Sequence, residues 1–103
     1  MLEVSELMIK HVVLLRFKTD ASKQSIEEFV AEVSELKAKI DVVQHFDHGA
    51  AATINTGKFD YGVVAEFASA EDYSRYIEHP AHLALAGKMG GLIDDAASLQ
   101  FDC

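Results

Sequence analysis

Between positions 76 and 82 the chain reads Tyr76-Ile77-Glu78-His79-Pro80-Ala81-His82, a phenol and two imidazoles set around the sequence's single proline. The residue before a proline is pushed out of the α region, and proline itself fits best in the first turn of a helix. The segment therefore predicts a helix that ends near Glu78 and restarts at Pro80, with His79 at the N-cap and His82 in the first turn. Tyr76 and His82 would then face each other across an elbow instead of lying along one straight face. The partial positive charge at a helix start disfavours an imidazolium. A neutral imidazole near pH 7 is what a general base or hydrogen-bond acceptor requires, and a phenol beside it can hold a developing oxyanion. The same residue types also serve structure, since helix corners use histidine as a cap or filler.

Other chemistry-bearing residues are fewer. His11 stands among Ile9, Val13 and Leu15 on one face of an apolar strand, so it faces a pocket or the core. His79 and His82 have a spacing that can hold a metal, with Glu78, His45 and His48 as conceivable further ligands. Structural zinc takes four ligands, commonly including cysteine, and no metal or organic cofactor is expected here. His45 and His48 fall on opposite faces of their strand, so both cannot enter one pocket. The sequence contains no glycine-rich phosphate loop, nucleophile elbow or paired-carboxylate motif, and Asp94-Asp95 reads as loop. A single cysteine, Cys103, excludes an intrachain disulfide and a cysteine-based zinc cluster, and suits a reducing compartment.

The elements that must position these residues follow from periodicity. Ile9 to Lys18 is a strand with Ile9, His11, Val13, Leu15 and Phe17 on one face and Lys10, Val12, Leu14, Arg16 and Lys18 on the other. Ser25-Ile26-Glu27-Glu28 has capping-box spacing, and Ile26, Phe29, Val30, Val33, Leu36 and Ile40 continue at helical spacing. Val42 to Gly49 is a second strand and Phe59 to Phe67 a third, joined through Ala50-Ala51-Ala52 and the segment 54–58. Ser69-Ala70-Glu71-Asp72 opens a second helix, which bends at Pro80, runs to about Met89 and stops at Gly90-Gly91. Ala97 to Phe101 closes the series as a short strand. The order β-α-β-β-α-β is the ferredoxin-like α+β arrangement, an antiparallel sheet with both helices on one face. The first strand is apolar on both faces, which implies that both are covered. Two helices cover one face, so a second copy pairing sheet against sheet is expected on the other.

Composition narrows the function classes. At 103 residues the chain suits one domain, and half hydrophobic with a quarter charged residues marks it as globular. A formal charge of −8 argues against nucleic acid and anionic membrane surfaces as partners, both of which call for basic patches. Residues 1–8 are expected to form an N-terminal extension ahead of a domain over 9–103, with Met8 a conceivable natural start. Met1 to Met8 carries two glutamates and no apolar core, so no signal peptide is expected, and the protein is placed in the cytoplasm.

Three segments together resemble the stress-responsive A/B barrel domain family: Ile9-Lys10-His11-Val12-Val13-Leu14-Leu15-Arg16-Phe17-Lys18, Phe67-Ala68-Ser69-Ala70-Glu71-Asp72, and Tyr76 to His82. The resemblance runs from about Ile9 to Phe101. It implies a ferredoxin-like subunit that dimerises into an α/β barrel, with a pocket between sheet and helices. A plant polyketide cyclase of this family uses a histidine and a tyrosine, without metal or organic cofactor, for an aldol-type ring closure. By position these fall on His82 and Tyr76 as the catalytic pair, and a pocket histidine falls on His11. The cyclase's third-strand histidine is replaced by Tyr61, and its first-helix pocket tyrosine by Val33. His11, Tyr61 and His79 are thus the candidate substrate-binding residues. The function implied is a homodimer with a pocket for a small apolar carbonyl or phenolic compound, performing cofactor-independent cyclase, isomerase or lyase chemistry. The alternatives are a non-catalytic small-molecule binder and a structural stress-response dimer, with a monooxygenase of similar barrel shape a weaker fourth.

Overall fold

The computed structural model describes residues 8–103, so the expectations for the N-terminal extension lie outside the described residues except at Met8. Eight elements follow in order: β1 (Ile9–Phe17), α1 (Lys23–Lys39), β2 (Val43–Ala50), β3 (Tyr61–Phe67), α2 (Ala70–Glu78), α3 (Pro80–Ala86), α4 (Met89–Leu92) and β4 (Ile93–Asp102). The sheet order is β2-β3-β1-β4, and every neighbouring pair is antiparallel. This is the ferredoxin-like arrangement, with the second helix broken into α2 and α3 and a one-turn α4 added.

Period-two alternation fixes which side of the sheet carries the core. In β3, Tyr61, Val63, Ala65 and Phe67 are all buried while the residues between them are half-exposed. Register pairs His11 with Ala65, Val13 with Val63 and Leu15 with Tyr61, so the His11 face of β1 joins the same layer. From the helix side, α1 contributes Phe29, Val33 and Leu36, followed by Ile40 just past its end; α2 adds Tyr76 and α3 adds Leu85. Complete burial of a side chain such as Phe67 means that its truncation to alanine costs about 3–5 kcal/mol.

Several boundaries differ from the sequence expectation, each for a local reason. The N-cap of α1 is Ser22, whose hydroxyl accepts from the Ser25 amide at 3.1 Å, so the helix begins one turn before the anticipated Ser25. Lys23 and Gln24 are good helix formers and carry that extra turn. β3 begins at Tyr61 rather than Phe59, because Asp60 turns its carboxylate to accept from the Phe17 amide at 3.0 Å. Gly87, not Gly90-Gly91, ends α3, with its amide donating to the Leu83 carbonyl at 3.0 Å. Gly90 and Gly91 sit inside α4, since no glycine takes the left-handed conformation that terminates a helix. Lys18 holds this turn by donating from Nζ to the Gly90 carbonyl at 2.9 Å and from its amide to Leu92 at 2.8 Å. β4 starts at Ile93, so Asp94 and Asp95 lie in a strand and not a loop. The ladder with β1 continues through Arg16–Asp95 to Phe17–Ile93, and cations stand beside both carboxylates: Arg16 lies 3.8 Å from Asp94, and Lys58 pairs with Asp95.

Candidate functional site

Pro80 builds the site as its sequence neighbourhood predicts. α2 ends at Glu78, His79 takes extended geometry (φ −65°, ψ 138°), and α3 restarts at Pro80. The His79 ring caps the new helix, its Nδ1 accepting from the Ala81 amide at 3.0 Å. The elbow turns His82 back onto Tyr76, with ring centroids 4.7 Å apart and an interplanar angle of 56°. Phe67 supports Tyr76 from the sheet at 4.9 Å. His11, only 5% exposed, approaches the same group from β1, 6.1 Å from Tyr76 and 5.1 Å from Tyr73.

His11, Tyr76 and His82 line one cavity of about 60 Å³, whose remaining wall is apolar and includes Val13, Val33, Val63 and Met89. That volume holds a few waters or a group of a few heavy atoms; an apolar cavity of about 150 Å³ is needed for benzene. Residues from the first strand and from the elbow near position 80 therefore meet around one small apolar space.

Electrostatics set the protonation states. Burial lowers the His82 pKa below the usual histidine value; the Ile77 backbone carbonyl partly opposes this, and the nearby His11 ring lowers it further. The first cause is desolvation of the charged form. His82 Nδ1 is buried and has no hydrogen-bond partner of normal geometry. Burial also lowers the His11 pKa, partly offset by a hydrogen bond to Gln100. Tyr76 is pushed up to about 12 by burial and by the neighbouring Tyr73, so its phenol stays protonated and can only donate or accept as a neutral group. Two neutral imidazoles and a neutral phenol around an apolar space can take up and return one proton, and can hold an oxygen that gains negative charge.

The two remaining sequence candidates stand apart from this cavity. Tyr61 is buried in the core layer, and its hydroxyl bonds His48 Nδ1 on the neighbouring β2 edge. His79 is the α3 cap and borders a surface groove with Asp72 and Arg75 instead. His45 is exposed. Among the described residues no three of His, Cys, Asp and Glu are gathered to hold a metal ion. Tyr73 and Gln100 join the site without having been singled out. Tyr73 had a signal, three residues before Tyr76 on the same helix face. Gln100 had none, because only the β1–β4 register sets it opposite His11.

Residues 9–103 match the sequence model of the stress responsive A/B barrel domain. The chain belongs to that family. Within it, the stress-response A/B barrel domain-containing protein HS1 of Arabidopsis thaliana is 30% identical over 95 residues, covering 90% of this chain and 87% of the relative. Among solved structures, a dimeric ferredoxin-like protein from Thermobifida fusca superposes with a TM-score of 0.86 at 24% identity, covering all of this chain and 97% of its own. The hydroxynitrile lyase of Passiflora edulis gives a TM-score of 0.85 at 17% identity, over 95% of this chain and 94% of the lyase. At those identities the two structures establish a shared ferredoxin-like fold.

Proposed function

We propose that this protein is a homodimeric A/B barrel whose cavity admits the small apolar carbonyl end of a compound and applies cofactor-independent acid–base chemistry of the cyclase, isomerase or lyase type. The observation that carries the reading is the meeting of His82, Tyr76 and His11 around one apolar cavity. In the proposed step the His82 imidazole takes the proton from a carbon next to the carbonyl; the C–H electron pair becomes the C=C bond of an enolate, and the C=O π pair moves onto the oxygen. Tyr76 donates a hydrogen bond to the oxygen, and the His82 imidazolium returns the proton when the new bond forms or the leaving group departs. Acid–base help of this kind contributes about 10²–10⁴-fold. The size of the cavity favours a carbonyl end over a phenolic ring, which would require the walls to separate. A structural dimer with a filled core accounts less well for the cavity between these three rings.

The second reading, a binder without chemistry, draws on the apolar wall, against which His11 and His82 would only orient a ligand. Both readings require a ligand at His82, which titration with acetone tests through the imidazole resonances of the full chain. Saturable shifts of His82 and His11, with the His11 shift lost in His82→Leu, are expected. Shifts scattered over the surface, or equal in the variant, would contradict both. Dimerisation is supported by the bare outer face of the sheet, where Leu14, Leu99 and Phe101 are 39%, 62% and 43% exposed beside Val12 and Val64. It is supported too by the dimeric state of the Thermobifida fusca relative.

A further inference from the structure

His11 Nδ1 lies 2.6 Å from Gln100 Oε1, across a register in which His11 and Gln100 are directly opposed on β1 and β4. The residues are 89 positions apart in the chain, so the contact exists only because the last strand docks beside the first. Gln100 Oε1 is an acceptor, so in this geometry His11 donates from Nδ1–H. A neutral imidazole carries one proton, and fixing it on Nδ1 leaves Nε2 as the ring's acceptor. We infer that Gln100 is a positioning residue that holds His11 in its Nδ1–H tautomer, so that the cavity-lining ring offers Nε2 as a hydrogen-bond acceptor for a ligand hydroxyl. This rests on the proposed function in that it presumes a ligand in the His11–His82 cavity.

An amide does this differently from a carboxylate. A glutamate at position 100 would accept the same proton but bring a negative charge, which favours imidazolium and raises a neighbouring pKa by about one to three units. A charged His11 would both lose its Nε2 acceptor and oppose protonation of His82, whose pKa its ring already lowers. The other titratable groups facing His11 are Tyr73 and Tyr76 from α2, both raised by burial and neutral across the useful range, with Ala65 opposite it on β3. Gln100 thus directs the proton without adding charge to a site whose groups are all neutral.

The test is nitrogen-resolved NMR of the histidine rings in the full chain, comparing the parent with Gln100→Leu and Gln100→Glu. The parent is expected to show His11 as the Nδ1–H tautomer, and Gln100→Leu to show a mixture of tautomers. Gln100→Glu should keep the Nδ1–H bond while raising the His11 pKa by about one to three units. A merely structural role for Gln100 would move stability without this split between the two variants. An Nε2–H tautomer in the parent, or an unchanged tautomer in Gln100→Leu, overturns the inference. Should the leucine variant not fold, the parent tautomer and the glutamate titration decide the matter. Tautomers are read without ligand or turnover, so a failed acetone titration would end the functional reading and leave this result standing.

Discussion

His82 is half-buried against Tyr76, and desolvation lowers its pKa, so the ring is held at some cost to its charged form. Replacing it with leucine keeps most of the volume and removes a partly desolvated imidazole. Chemical denaturation at matched protein concentration is expected to show His82→Leu as stable as the parent, or more stable by about 1 kcal/mol. A loss above about 2 kcal/mol would assign the residue to folding. The pH dependence has a definite sign. His11 and His82 both have folded pKa values below the unfolded value of about 6.5, so the unfolded chain takes up protons first as pH falls. Stability should therefore decline as pH drops through about 6.5 towards the lower folded values, and His82→Leu should flatten that slope. Tyr76, His79, Pro80 and His82 were legible from the sequence because one proline dictates their geometry locally. Tyr61 was harder to place: strand alternation gives its face, but only the packed sheet shows its hydroxyl held by His48.

The elbow between α2 and α3 is where element geometry becomes chemistry. Its capping bond from the Ala81 amide to His79 Nδ1 fixes where α3 begins, and hence where His82 points. His79→Ala should cost about 1 kcal/mol, within the usual range for losing an N-cap, measured by denaturant unfolding. It should also weaken the acetone-induced shift at His82, whereas an unchanged shift would mean that the elbow is held by Pro80 and packing alone. Existence and type of the main elements were readable because α1 repeats apolar residues at helical spacing and β3 alternates strictly. Ends were less readable where long-range contacts decide them. Asp94 and Asp95 join β4 because its ladder with β1 runs on to Ile93, where Arg16 and Lys58 meet their carboxylates, and α4 forms where Lys18 reaches its backbone. Local sequence carries neither contact.

Across the whole molecule, β1 links the two faces of the sheet: His11, Val13 and Leu15 look toward the cavity and core, while Val12 and Leu14 look outward. Apolar residues on both faces of this strand were the sequence's signal for a partner, and β4 extends the outer patch with Leu99 and Phe101. Charge placed in that patch should separate the proposed dimer. Leu99→Asp is expected to give a monomer by sedimentation at micromolar concentration, with lower stability because association and folding are linked. A parent that sediments as a monomer, or a variant that stays dimeric, would refute the sheet-to-sheet pairing. Gln100 lies between Leu99 and Phe101 on the same strand but turns to the opposite face, so loss of the partner should also loosen its bond to His11.

The most direct test of the acid–base claim is exchange of the methyl protons of acetone for deuterium in heavy water, followed by NMR with the parent, His82→Leu and Tyr76→Phe. The parent is expected to accelerate exchange above buffer, His82→Leu to abolish the acceleration, and Tyr76→Phe to reduce it. Exchange no faster than buffer, or equally fast in His82→Leu, would contradict a base at His82.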